Sequence, residues 1–162
     1  MKEFVKLHLL VLPFLCATAS LAQSVKFNGS PSSVISSGAI VPEGKKMFWT
    51  SGATGGVADS TAQEGTRGRF GDTKTQALSI LANFQKALGE KGLSMKDVLM
   101  LRVYLAPDKS TGQPDYQGWY DAYAQYFGTA ENPTKPIRST IGIAGLANTN
   151  KFIEIELVAV YP

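Results

Sequence analysis

Arg138 and Glu154 are the side chains in this chain best suited to carry chemistry. Arg138 stands in the run Pro136-Ile137-Arg138-Ser139-Thr140, where a strand is expected to begin. A guanidinium presents a planar fork of donors that matches a carboxylate, so this Arg could hold a carboxylate through two parallel hydrogen bonds. Taken alone, it could equally be an ordinary ion-paired surface residue. Glu154 and Glu156 lie two apart in Phe152-Ile153-Glu154-Ile155-Glu156-Leu157, so both face one side of the strand. Two buried carboxylates at that spacing resist joint ionisation, and one could carry a proton. The plainer reading is an exposed polar strand face, with Arg102 paired to one of the two carboxylates.

What the chain lacks narrows the chemistry further. Its one histidine, His8, and its one cysteine, Cys16, both fall in the first 22 residues. Those residues read as a secretory signal. Lys2 and Lys6 precede an apolar run from Leu7 to Leu15, and Ser20-Leu21-Ala22 sets small residues for cleavage before Gln23. The run is short for a ~30 Å hydrocarbon core, so a membrane anchor is the lesser reading. The expected product is periplasmic or secreted. Removing 22 of 162 residues leaves 140, enough for one compact domain. A mature chain without His or Cys has no thiol or imidazole nucleophile, no Ser-His-Asp triad, no disulfide and no zinc site built on those ligands. Carboxylates, Arg, Lys, hydroxyls, backbone groups and water remain. Net charge falls to +2 from 14 basic and 12 acidic side chains, without a basic face, so neither nucleic acid nor an anionic membrane is expected as a partner.

The positioning elements follow from periodicity and punctuation. Residues 23–35 are rich in Ser, Asn, Gly and Pro and read as a flexible arm. Ala39–Val41 and Met47–Ser51 flank Pro42-Glu43-Gly44-Lys45 and read as a hairpin. Residues 52–71 hold six glycines and read as a long loop, without the spacing of a dinucleotide-binding turn. Asp72 caps a helix in which Ala77, Ile80, Leu81, Phe84 and Leu88 form one apolar stripe, ending near Gly89 and Gly92. Val98–Leu105 is an apolar strand, and residues 106–115 form a second loop. A helix from Asp115 to Phe127 carries Tyr116, Trp119, Tyr123 and Tyr126/Phe127, an aromatic stripe read as core rather than as a base-stacking platform. Asp97, Asp115 and Asp121 read as caps and surface charges, and no calcium-loop spacing occurs. Strands at 138–143 and 152–160 complete an α+β order with one mixed sheet and two helices on one face. The other face of the last strand is half apolar, which suggests burial against another subunit.

These residues also form a pattern. Gly71-Asp72, Gln76, Leu81-Ala82-Asn83, Leu88 and Gly92 are followed by Val98, Val103-Tyr104-Leu105, Tyr123 and Phe127, then by Pro136-x-Arg138-Ser139 and Ile153-Glu154-Ile155-Glu156-x-x-Ala159. The pattern resembles the RidA/YjgF/UK114 family of enamine/imine deaminases, also named endoribonuclease L-PSP. It covers about residues 36–160 and sets the domain at 36–162. The resemblance implies a chorismate-mutase-like α+β fold and a homotrimer with clefts between subunits. It implies hydrolysis of 2-imino or 2-enamino acids to 2-keto acids and ammonia, with no metal or organic cofactor. Arg138 matches the arginine that grips the substrate carboxylate, and Glu154 matches the glutamate near the attacking water. Ser51 and Gly52 match residues lining the cleft. Thr140 takes a position often held by Cys, whose backbone carbonyl helps place the water. Two positions depart: Ala39-Ile40 stands where a Tyr is common, and Tyr120 where an Asn is frequent. A non-catalytic binder of small carboxylates or a chaperone-like trimer is the alternative, and a ribonuclease is disfavoured by the missing His and basic patch.

Overall fold

The computed structural model describes residues 24–162. The expected signal at 1–22 lies outside the described residues. The main sheet orders its strands β3-β7-β5-β6, where β3 is Met47–Trp49, β5 Val98–Leu105, β6 Ile137–Gly142 and β7 Ile153–Val160. A short strand β4, Ala53–Thr54, also pairs with β7. The β5–β6 pair is parallel and the other pairs are antiparallel, so the sheet is mixed as expected.

Two helices cover one face. Helix α2, Thr73–Glu90, follows a single turn, α1, at Arg67–Phe70. The Asp72 carboxylate accepts from the Thr75 N–H at 2.8 Å, satisfying one of the free donors of the first turn of α2. All five residues of its expected stripe are buried. Helix α3, Tyr116–Tyr123, is capped by Asp115, which accepts from the Gly118 N–H at 2.8 Å. Asp97, read as a cap, closes a box with Ser94 ahead of β5. Alternation along β5 and β7 sends Leu101, Val103, Leu105, Ile153, Ile155 and Leu157 into the core beneath α2 and α3.

The second face is covered at one end only. Residues 26–28, expected in a flexible arm, form strand β1, Lys26–Asn28, which pairs with β2, Gly38–Ile40. Val25, Phe27, Ala39 and Val41 pack there on Leu99, Val158 and Val160. Burial of Phe27 and Val25 outweighs the polar composition around them. The expected hairpin between 39–41 and 47–51 does not form either. The two strands belong to different sheets, because β7 offers β3 a free edge, where Phe48 packs partly buried against the main core.

The glycine-rich loop is fastened rather than loose. Arg67 in α1 forks onto Asp108 in the 106–115 loop through Nε at 2.9 Å and Nη2 at 2.7 Å, both to Oδ2. Gly55 approaches α2 so closely that a Cβ there would meet Gln76 Cβ at 2.7 Å. Gln76 is fully buried and fully used. Its amide N–H groups donate to the carbonyls of Gly71 and Asn150, both at 3.1 Å, and its Oε1 accepts from Phe152 N–H at 2.9 Å.

Candidate functional site

Arg138 enters the site from β6. Its in-register neighbour on β5 is Leu101, a core residue, so Arg138 lies on the helix-covered face. There its guanidinium sits over three rings of α3: Tyr123 at 4.4 Å, Tyr120 at 5.0 Å and Trp119 at 5.6 Å. Each ring face offers a cation attraction of about 0.5–2 kcal/mol. No carboxylate lies within ion-pairing distance among the described residues. Nη1 is buried with no hydrogen-bond partner. Burial pulls the Arg138 pKa below its ordinary value, although the group stays charged. A partly desolvated cation stacked on rings, with an unsatisfied buried donor, is suited to an anion brought from outside.

A cavity of about 580 Å³ opens beside it. One wall is α3 and the turn that follows it, with Tyr120, Ala124 and Phe127; the other is the stretch Ser32–Val34. Tyr123 joins the two walls, donating its phenol O–H to the Val34 carbonyl at 3.0 Å while its ring supports Arg138. Burial pushes the Tyr123 phenol up to about 12, so it remains a neutral donor. Lys135 donates to the Pro31 carbonyl at 2.8 Å, and Ser36 Oγ donates to the Lys135 carbonyl at 2.6 Å. The stretch from Pro31 to Ser36 is thereby fastened over the mouth of the cavity. Thr140 lies on the Arg138 face, and its hydroxyl accepts from the Trp119 indole N–H at 3.2 Å. Its oxygen is thus engaged as an acceptor, while among the described residues its O–H remains free to donate.

Glu154 occupies the other face. It pairs in register with Tyr104 of β5 and Thr54 of β4. Between β3 and β4 the register against β7 slips by one residue, from Trp49 opposite Val158 to Ala53 opposite Ile155. This bulge places Ser51 and Gly52 beside Glu154. A Cβ on Gly52 would lie 2.7 Å from Glu154 Cδ, so only glycine leaves room for the carboxylate. The Glu154 carboxylate accepts no hydrogen bond among the described residues, whereas that of Glu156 is bound. Arg102 Nη1 donates to Glu156 Oε2 at 2.9 Å, and the Tyr104 hydroxyl donates to Oε1 at 3.3 Å. Arg102 therefore takes Glu156, leaving Glu154 free for other work.

The expected residues accordingly separate into two groups. Arg138 and Thr140 sit with α3 on one face of the sheet; Ser51, Gly52 and Glu154 sit together on the other. One chain does not bring Arg138 to Glu154. Val34 and Lys135 escaped the sequence reading, and Tyr123 was read there as core rather than as a site residue. The aromatic stripe of α3 was visible, but its arginine-holding role needs the strand register that puts Arg138 beneath it.

Comparison with known proteins agrees with this geometry. The family model for endoribonuclease L-PSP matches residues 37–161. A RutC family protein of Pyrococcus horikoshii is 33% identical over 89 residues, 55% of this chain and 63% of that protein. A RutC family protein of Pyrococcus abyssi is 30% identical over 89 residues. These matches span less than two thirds of either relative's length. Among solved structures, the Rid family protein YyfB of Yersinia pestis, of unknown function, superposes with a TM-score of 0.63 at 20% identity, over 86% of this chain and all of that one. The YjgF gene product of Escherichia coli is 28% identical, with a TM-score of 0.56 over 75% of this chain and 85% of that one. Escherichia coli TdcF, solved with bound serine, is 26% identical, with a TM-score of 0.55 over 80% of this chain and 96% of that one.

Proposed function

The chain belongs to the endoribonuclease L-PSP family, which includes the Rid and YjgF proteins, and on that premise we propose that it hydrolyses 2-imino or 2-enamino acids to 2-keto acids and ammonia. The observation that carries this reading is Arg138, a half-buried cation with ring contacts, a buried orphaned donor and no acidic partner among the described residues. It is suited to gripping a substrate carboxylate, and the serine bound to TdcF carries such a group. An imine carbon is already electrophilic, so the site's main task is to hold it against a water. Glu154, its carboxylate free of hydrogen bonds among the described residues and lying over Gly52, is placed to accept a proton from that water. Attack gives a carbinolamine, which expels ammonia and leaves the keto acid.

Because the two residues occupy opposite sheet faces, the working site joins Arg138 and Thr140 of one copy to Ser51, Gly52 and Glu154 of a second. A homotrimer with sites between subunits meets that need. The exposed Trp49 and Ile141, on the same face as Glu154, supply apolar contact area. We also propose export to the periplasm or exterior, on the strength of residues 1–22.

Imino acids generated in situ by an amino-acid oxidase provide the test. Wild type should accelerate release of ammonia and keto acid, and Arg138→Ala should not. Equal rates in the two proteins would rule out the carboxylate anchor. The same sheet geometry favours a second reading, a carboxylate-binding protein without turnover, if the copies do not associate. Retained keto-acid binding without hydrolysis would identify it.

A further inference from the structure

The cavity beside Arg138 is much larger than a three-carbon acid requires. Its volume of about 580 Å³ falls in the range of about 300–1,000 Å³ that accommodates ligands of many heavy atoms. Its shape follows from α3. Tyr120 projects a partly exposed ring, and one turn later the side chain shrinks to the single methyl of exposed Ala124. Gly128 adds no side chain beyond it, and Val34, 65% exposed, forms the opposing wall. The result is a slot lined by the Arg138 cation together with an aromatic ring, a methyl and an isopropyl group, with Ser32 and Ser33 on the Val34 side. The other polar groups of the lining are already engaged, Lys135 with the Pro31 carbonyl, the Ser33 hydroxyl with the Ile35 carbonyl and the Ser32 hydroxyl with that of Ser30, so away from Arg138 the slot offers little to a polar group. Flat apolar surface gains most there, by area removed from water and by offset contact with the Tyr120 ring.

We propose that this slot selects 2-imino acids with an aromatic side chain over those with a methyl. The proposal rests on Arg138 being the carboxylate anchor. The test uses the corresponding products, 3-phenylpyruvate and pyruvate, titrated calorimetrically into the full mature chain and into Ala124→Leu, Tyr120→Ala and Arg138→Ala. Wild type should bind phenylpyruvate at least about tenfold tighter than pyruvate, as expected for one buried ring. Ala124→Leu fills the slot and Tyr120→Ala removes its stacking face, so each should bring the ratio toward one. Both positions are exposed, and circular dichroism should show intact folds. Equal wild-type affinities, or a ratio unmoved by either variant, would overturn the size selection even if Arg138→Ala loses both ligands. If Arg138→Ala binds both ligands as wild type does, the anchor itself fails, and the selection with it.

Discussion

At the scale of single residues, Arg138 is held by opposing forces. Its orphaned Nη1 costs about 1–3 kcal/mol, while three ring contacts of about 0.5–2 kcal/mol each offset that cost. Arg138→Ala should therefore shift the melting temperature by only a few degrees while abolishing keto-acid binding. A large fall in melting temperature would recast Arg138 as structural. Tyr123→Phe separates the ring from the tether, because it keeps the surface under Arg138 and removes the bond to Val34. Loss of that bond should lower stability by about 1 kcal/mol and weaken ligand binding severalfold, read by chemical denaturation and calorimetry. Gly52→Ala tests the other half of the site. The new methyl displaces the Glu154 carboxylate, so turnover should drop at least about tenfold, whereas Gly38→Ala, which meets nothing within 4 Å, should be silent. Arg138 and Glu154 were legible from residue type and motif. Their separation onto two faces was not, since it depends on the register that sets Leu101 beside Arg138 and Tyr104 beside Glu154.

At the scale of elements, the two long loops act as one fastened unit. Asp108 is nearly buried, and the Arg67 guanidinium holds its carboxyl down at about 2, against an ordinary 3.8. A carboxyl lowered on folding stabilises the native state above its unfolded pKa, and that contribution is lost as pH falls toward the folded value. The pair should contribute on the order of 1–2 kcal/mol near neutrality, reduced by the partial exposure of Arg67, and this should vanish between about pH 5 and 2. Asp108→Asn should lower stability at pH 7 and flatten the acid limb of the stability profile. Parallel wild-type and variant profiles would show that the pair contributes nothing. Helix α2 and strands β5 and β7 were legible because one periodicity runs through each. Strand β1 was not, because Val25 and Phe27 are isolated among polar residues and find their apolar partners, Val158 and Val160, more than 100 positions away. The anchoring of the glycine-rich loop was also hidden, since neither Arg67 nor Asp108 carries a local signal of its partner.

At the scale of the whole molecule, the sheet is finished on one face and covered at one end only on the other. Trp49 is 57% exposed and Ile141 52%, beside the Arg102–Glu156 pair. The half-apolar second face of the last strand was expected to be buried by another subunit, but Val158 and Val160 are covered by Val25, Phe27, Ala39 and Val41 of the same chain; the apolar surface left available to a second copy comes from β3 and β6 instead. Ile141→Glu should convert the proposed trimer to monomer in sedimentation velocity and abolish turnover together, because each site would lose its partner chain. The most direct test of the central claim mixes two inactive proteins, Arg138→Ala and Glu154→Gln, refolded together in equal amounts. If each site takes Arg138 from one copy and Glu154 from its neighbour, about a quarter of the sites in random hybrids carry both intact residues, and activity should recover to about that fraction of wild type. Recovery of no activity from verified mixed oligomers would contradict a site shared between subunits.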